Sequence, residues 1–146
     1  MSSFQVSEEV VQVFNKLKNQ RAHRFIVFKV LDGASGVDVE YAGARDETFE
    51  HFRNKMPANE PRYAVYDLEF TKADGVKSSK ILFIMYSPDS CTQGQLRFIY
   101  STNKDAIKSK VQPVHKELQI NDHADLKESD FIGFFIWESN QRTWFW

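Results

Sequence analysis

Residues 96–111 carry apolar and polar positions with the period of an amphipathic helix. One side of this helix suits contact with a core and comprises Leu96, Ile99, Asn103, Ile107 and Val111. Another side repeats at i, i+4, i+7 and i+11 and comprises Arg97, Ser101, Lys104 and Lys108. The pattern predicts a helix that docks through its apolar side and shows three cations to solvent. We call Arg97, Lys104 and Lys108 the basic ridge.

The pattern alone leaves two alternatives open for this segment. A solvated face of charges is the commonest origin of such a spacing, and it needs no partner. The β preference of Phe98, Ile99 and Tyr100 also allows the first half to be a strand.

Helical and strand patterns interleave along the rest of the chain. Helices are predicted over residues 7–19 with Ser7 as N-cap, over 46–55 before Pro57, and after a linker at 125–129 with Ser129 as cap. Alternating apolar positions predict strands at 25–30, 37–41, 63–70, 80–86 and 114–120. The first two strands form a hairpin, and the next two are joined by a polar loop around Gly75. Residues 1–6 are predicted to be a mobile arm. The order predicts an α/β domain of the α+β type, with a mixed sheet covered by helices.

Composition narrows the class of protein. The 146 residues suit one domain, 42% are apolar, and thirteen Phe predict a Phe-rich core. The net charge of −1 gives no overall field that attracts nucleic acid or a membrane, so recognition must come from local patches. Cations and aromatics do mix at residues 97–100, but the net charge and the lack of an RNP-type string argue against nucleic-acid binding.

Sequence signals for compartment point to the cytosol. The single Cys91 cannot form an internal disulfide and suits a reducing environment. The chain has neither a membrane-length apolar run nor an N-terminal secretory signal, so we expect a cytosolic protein without stable membrane insertion. Passage into the nucleus stays open at this size.

Catalytic and metal-binding patterns are missing from the sequence. The four histidines have no metal-ligand spacing: His23, His51, His115 and His123. Nucleophile-elbow, P-loop and dinucleotide-binding motifs do not occur, and Cys91 has no evident base nearby. We therefore predict that the protein is not an enzyme and uses no metal or cofactor.

Four strings in fixed order resemble the ADF/cofilin family of actin-depolymerising proteins. They are VSEEVVQVFNKLK at 6–18, RYAVYDLEF at 62–70, SSKILFIMYSPD at 78–89 and RFIYSTNKDAIK at 97–108. The resemblance extends over about residues 2–130 and implies one ADF-homology (gelsolin-like) domain across residues 1–146. It implies a mixed sheet of five to six strands with helices on both faces. It also makes residues 96–111 a long, kinked helix, against the strand alternative.

The resemblance implies a function in actin turnover. Such a protein binds monomeric and filamentous actin as a monomer itself, prefers the ADP form, and promotes depolymerisation and severing at the cytoskeleton in the cytoplasm. The implied contacts with an actin monomer are Ser2, Ser3, Phe4, Arg97, Ser101, Lys104, Asp105 and Lys108. Lys77 and Lys80 match basic positions of a second surface that is used only on filaments.

Two kinds of regulation are expected, the first from the resemblance and the second from the lysines themselves. Ser2 aligns with a phosphorylatable serine and Ser3 is adjacent; a phosphate there adds about −1.5 to −2 charges and is expected to weaken binding to acidic actin. Phosphoinositide head groups are a second candidate ligand, competing with actin for Lys104, Lys108 and Lys110.

Three departures from the family bear on severing. Gln95 and Ser78 stand where basic residues are frequent, and residues 131–146 replace a charged helix with a segment that carries seven aromatics. The alternative function is therefore binding of monomers or filament sides without severing. Phe131, Phe134 and Phe135 are expected to pack in the core, whereas residues 144–146 would form either a contact patch or an aggregation-prone end.

Overall fold

A computed structural model describes residues 4–144 of the chain, and the side chains of residues 4–136. The strands are β1 (Gln5–Val6), β2 (His23–Val30), β3 (Gly36–Ala44), β4 (Arg62–Thr71), β5 (Lys77–Tyr86) and β6 (Lys116–Ile120). The α-helices are α1 (Glu8–Asn15), α2 (Phe49–Lys55), α3 (Gly94–Thr102), α4 (Lys104–Lys108) and α5 (Glu128–Trp144). A π-helical turn over Lys16–Gln20 extends α1.

The six strands within residues 4–144 form one mixed sheet in the order β1-β3-β2-β4-β5-β6. The central pairs β3–β2, β2–β4 and β4–β5 are antiparallel, whereas β1 on β3 and β6 on β5 are parallel. The predicted mixed sheet and both predicted hairpins are therefore confirmed. The loop between β4 and β5 turns at Gly75, whose positive φ of 86° favours glycine.

Helices cover both faces of the sheet, and each face has its own core. Along β4, Tyr63 and Val65 face the core beneath α1, α3 and α4, whereas Ala64 and Tyr66 face the core beneath α2 and α5. This alternation follows from the two-residue period of a strand. The second core is rich in Phe, as the composition predicted, and its aromatic members include Phe25, Phe49, Phe52, Phe131 and Phe135.

The N-terminal helix is capped as predicted. Ser7 Oγ accepts a hydrogen bond from the Val10 N–H at 3.4 Å and donates one to Asp38 Oδ1 at 2.7 Å. Residues 5 and 6, predicted to belong to a mobile arm, instead pair with the edge of β3, because the backbone groups of that edge are otherwise unpaired.

The C-terminal helix differs from its prediction at its start. It begins at Glu128, so Ser129 lies inside the first turn and is not the cap. The Lys127 carbonyl accepts hydrogen bonds from the Asp130 and Phe131 N–H groups, which draws Ser129 into the helix. Phe131 and Phe135 are buried as predicted, whereas Phe134 is only half-buried.

Residues 96–111 are helical and broken once, at Asn103. Its backbone (φ −101°, ψ 8°) separates α3 from α4, and its side-chain amide donates to the Ile99 carbonyl at 2.9 Å. The strand alternative for the first half is thus wrong, because burial of one helical face outweighs the local β preference. Buried Ile107 and Val111, with partly buried Leu96 and Ile99, contact the core as predicted.

Tyr100 anchors α3 to the centre of the sheet. Its ring lies 4.9 Å from that of Tyr63, measured between centroids, and is almost fully buried. Its hydroxyl accepts a hydrogen bond from the Val30 N–H at 2.9 Å, and its carbonyl accepts one from the Tyr63 hydroxyl at 2.5 Å. Side chain and backbone of one residue therefore attach α3 to both β2 and β4.

Replacing Tyr100 with Phe should destabilise the fold by about 1–3 kcal/mol, because the buried Val30 N–H loses its acceptor. Urea unfolding measures this change. Tyr41→Phe is the matched control, since its hydroxyl binds Glu47 in a less buried setting and its loss should cost less than about 1 kcal/mol. Equal midpoints for wild type and Tyr100→Phe would contradict this role of the hydroxyl.

Candidate functional site

The outward face of α3 carries an unusually exposed aromatic side chain. Phe98 is 69% exposed, more than Leu31 at 45% or Val76 at 54%, the other exposed large apolar residues within 4–136. Ser101 and Asp105 are exposed near it, as expected for residues three and seven positions further along a helical face. We call Phe98, Ser101 and Asp105 the outer face.

Sequence reasoning missed Phe98 as a contact residue and considered it only for its strand preference. The helical wheel holds the missing signal. Leu96, Ile99 and Tyr100 define the buried side, and Phe98 falls on the opposite side at about 100° per residue. A large aromatic at an outward position of a docked helix is a candidate contact, because isolated exposure of such a ring gains nothing in the free protein.

The basic ridge runs along the flank of the helices rather than along their outer face. Arg97 turns towards the loop after β5, where its Nε donates to Ser87 Oγ and its Nη2 to Asp89 Oδ1, each at 3.1 Å. The Asp89 side chain is 77% exposed, so this ion pair is open to water and screened by salt.

The other two cations of the ridge share a single carboxylate on β6. Lys104 Nζ lies 2.7 Å from Glu117 Oε1, and Lys108 Nζ lies 2.5 Å from Glu117 Oε2. Hydrogen bonds from Lys104 and Lys108 hold the pKa of the Glu117 carboxyl below its usual range. The same contact raises the pKa of Lys108. Glu117 is therefore ionised and Lys108 is charged at neutral pH.

The predicted free ridge of three cations needs correction. All three are ion-paired within the chain, to Asp89 or Glu117, so the three cations and two carboxylates leave a local charge of +1. The prediction missed these ion pairs because a helical wheel shows only the helix itself, whereas the carboxylates come from the loop after β5 and from β6. Lys110 is exposed and makes no ion pair among residues 4–136.

The predicted N-terminal contacts are only partly described. Ser2 and Ser3 lie outside the described residues. Phe4 is half-buried and packs against the core beneath α1 and α3, close to the start of β1.

The two lysines predicted to contact filaments do not share a face. Lys77 is exposed at the start of β5, beside Val76 at the hairpin tip, whereas Lys80 is half-buried. Because their separation is three residues along a strand, their side chains leave opposite faces of the sheet. Ser78 lies between them in the sequence and is partly buried. Of the predicted aromatic C-terminal segment, the side chains of residues 137–144 and all of residues 145 and 146 lie outside the described part of the chain.

Other chemistry is sparse in the described part of the chain. Within it, no group of three or more His, Cys, Asp and Glu side chains is arranged to hold a metal ion. Cys91 is buried, with its thiol 3.7 Å from the Gln93 carbonyl. None of the described helices combines the length and apolar character needed to span a membrane.

His115 fixes the segment that carries Glu117 to the sheet. Its ring Nδ1 accepts a hydrogen bond from the Ile81 N–H at 2.9 Å, and its backbone N–H donates to the Ile81 carbonyl at 2.8 Å. Partial desolvation of the ring, with Lys80 nearby, lowers the pKa of His115 from 6.5. An acceptor at Nδ1 requires the neutral ring, in agreement with that direction.

This chain is similar to known proteins both in its sequence and in its fold. The sequence matches the family of cofilin/tropomyosin-type actin-binding proteins over residues 3–133. Actophorin of Acanthamoeba castellanii is 38% identical over 128 residues, which cover 88% of this chain and 91% of actophorin. Actin-depolymerizing factor 8 of Arabidopsis thaliana is 38% identical over 125 residues, 86% of this chain and 89% of that protein. The crystal structure of Streptomyces griseoflavus cofilin matches the fold with a TM-score of 0.82, 22% identity, and coverage of 90% of this chain and 96% of that one.

Acidification should weaken the fold through His115. Because its folded pKa is lowered, its contribution to stability is complete above the unfolded value and is lost as pH falls through the folded one. His115→Gln keeps an acceptor but cannot titrate, so it should lose less stability than wild type between about pH 7.5 and about pH 5.5. Urea unfolding at the two pH values measures the difference. Identical losses in both proteins would exclude this contribution.

Proposed function

This chain belongs to the family of cofilin/tropomyosin-type actin-binding proteins, and from that premise we propose that it binds actin monomers and filaments and promotes filament depolymerisation. It acts as a non-enzymatic monomer at the cytoskeleton in the cytoplasm; access to the nucleus remains a separate prediction. The observation that carries the proposal is the exposed Phe98 on a helix fixed to the sheet by Tyr100.

The outer face supplies the short-range part of binding. Burial of the Phe98 ring in a cleft of actin removes a large apolar surface from water, which is the usual source of a binding hot spot. Ser101 and Asp105 are exposed beside it and offer polar contacts. Since the docked helix is rigid, little conformational freedom is lost on binding.

The basic ridge supplies orientation towards acidic actin. Its local charge of +1 favours approach of the helix side of the domain, and the position of the cations along the flank sets the register. On binding, Arg97 and Lys108 exchange their internal carboxylates, Asp89 and Glu117, for carboxylates of actin. Phe4 is partly buried and packs against the core beneath α1 and α3, where it adds an apolar contact.

Depolymerisation follows from differential binding. A ligand that prefers one actin geometry increases the population of that geometry, and the filament loses contacts that the other geometry makes. We propose that the preferred state is the ADP form. The energy comes entirely from binding, which agrees with a protein that needs no catalytic group.

The alternative is binding without severing. Gln95 is exposed on α3 at a position where the family resemblance implies a frequent basic residue, and Ser78 adds no charge at the β4–β5 hairpin. Lys77 and Lys80 leave opposite faces of β5, so a single flat partner engages them unequally. Microscopy of filaments separates the two functions: bound filaments that stay long favour the alternative, and shortened filaments favour severing.

Two regulatory proposals concern the binding of actin. Phosphorylation of Ser2 or Ser3 places negative charge at the start of the chain and weakens binding to acidic actin. Phosphoinositide head groups bind Lys104, Lys108 and Lys110; the first two must leave Glu117, and Lys110 is exposed.

Replacing Phe98 with Ala should weaken binding to ADP-actin monomers by about tenfold or more, because a desolvated aromatic contact is lost. The double variant Arg97→Ala/Lys108→Ala should also weaken binding, through loss of charge on the flank. Fluorescence titration measures both. Val76→Ala, at the hairpin tip, is the control and should bind like wild type; unchanged affinity of both test variants would remove α3 and α4 from the binding surface.

Replacing Lys77 and Lys80 together with Ala should reduce co-sedimentation with filaments while leaving monomer affinity within about twofold. The reason is that both lysines lie on the β4–β5 hairpin, whereas the outer face lies on α3 and α4. Parallel monomer titration provides the internal control. Equal loss in the two assays would show that the hairpin does not form a separate filament surface.

A further inference from the structure

Glu117 has an unusual place among the charged groups near the proposed binding surface. It lies on β6 rather than on a helix, yet both of its carboxylate oxygens are committed to lysines of α4. Each oxygen contacts a different ammonium group, at 2.7 Å to Lys104 and 2.5 Å to Lys108. We call Glu117, Lys104 and Lys108 together the fork. It connects β6 with α4, two elements that are separate in the sequence.

The fork restrains two long side chains at once. Lys104 and Lys108 are one helical turn apart, so a single carboxylate can span them. A free lysine samples many rotamers, whereas these two are held beside the outer face. Fixed positions favour a defined register with a partner, but the shared carboxylate also cancels one of the two charges.

The fork is accessible enough to open. The side chains of Lys104, Lys108 and Glu117 are between 28% and 35% exposed, so water reaches all three. Ion pairs of this kind contribute little net stability because solvent screens them. An incoming carboxylate can therefore replace Glu117 at either ammonium group without a large loss of stability.

We propose that Glu117 is an internal counter-ion that lowers the attraction of α4 for acidic partners and so limits the rate of association and its dependence on salt. This inference rests on the proposed function, because the acidic partner is actin. Glu117 does not itself contact actin; it is a positioning residue that acts through Lys104 and Lys108. Without Glu117, both Lys104 and Lys108 present an unneutralised positive charge to the approaching partner.

The test is the association rate with ADP-actin monomers over a series of salt concentrations, measured by stopped-flow fluorescence. Glu117→Gln keeps the shape of the side chain and removes its charge. At low salt it should associate roughly twofold to fivefold faster than wild type, and its rate should fall more steeply as salt rises. At high salt the two rates should converge, because screening removes the long-range term.

Two further variants separate local from global charge. Glu50→Gln makes the same change in net charge on α2, at an exposed residue on the opposite face of the sheet, and should follow the wild-type salt curve. Glu117→Gln/Lys110→Gln restores the wild-type charge of the flank through an exposed lysine outside the proposed actin contacts, and its salt slope should return towards that of wild type. Thermal unfolding checks that each variant is folded.

The outcomes distinguish this inference from the proposed function. A Glu117→Gln curve parallel to wild type, or slower at every salt concentration, would overturn the counter-ion role while actin binding stands. Absence of binding by wild type would instead overturn the proposed function. If Glu117→Gln does not fold, Glu117→Ala serves as the test, since it removes the same charge and should also steepen the salt curve.

Discussion

The position of the binding helix depends on the contact between Tyr100 and two central strands. The Tyr100 hydroxyl accepts from the Val30 N–H, and its carbonyl accepts from the Tyr63 hydroxyl, so both ends of one residue are bonded to the sheet. The two rings are buried against each other, which removes competing water. Phe98 lies on the side of α3 opposite Tyr100. Because this contact holds the Tyr100 side of the helix against the sheet, Phe98 faces solvent.

Charge near the helix is arranged by the rest of the fold. A loop supplies Asp89 to Arg97, and a parallel edge strand supplies Glu117 to the lysines of α4. The surface is therefore an exposed apolar ring beside a restrained and partly neutralised row of cations. Such an arrangement suits a partner that is recognised chiefly by shape and apolar contact, with electrostatics controlling approach and register.

Much of the fold follows from periodicity in the sequence. The cap at Ser7, the two hairpins and the buried side of residues 96–111 all depend on local pattern, and each is present. The strand preference around Phe98 misled because local propensity yields to burial of a helical face. The parallel pairing of residues 5 and 6 and the inclusion of Ser129 in α5 depend on non-local or backbone bonds, which composition does not reveal. The ion-pair partners of the basic ridge could not be predicted either, since Asp89 lies in a loop and Glu117 on a strand.

Hydroxyl-radical footprinting of Phe98 shows whether its ring is buried in the complex with actin, because an exposed ring is readily oxidised and a buried one is not. Modification is measured by mass spectrometry with and without ADP-actin monomers, and Val76, which is exposed at the tip of the β4–β5 hairpin, provides a reference position in the same sample. We expect strong protection of Phe98 on complex formation and unchanged reactivity at Val76. Formation of the complex with Phe98 as reactive as in the free protein would contradict this expectation.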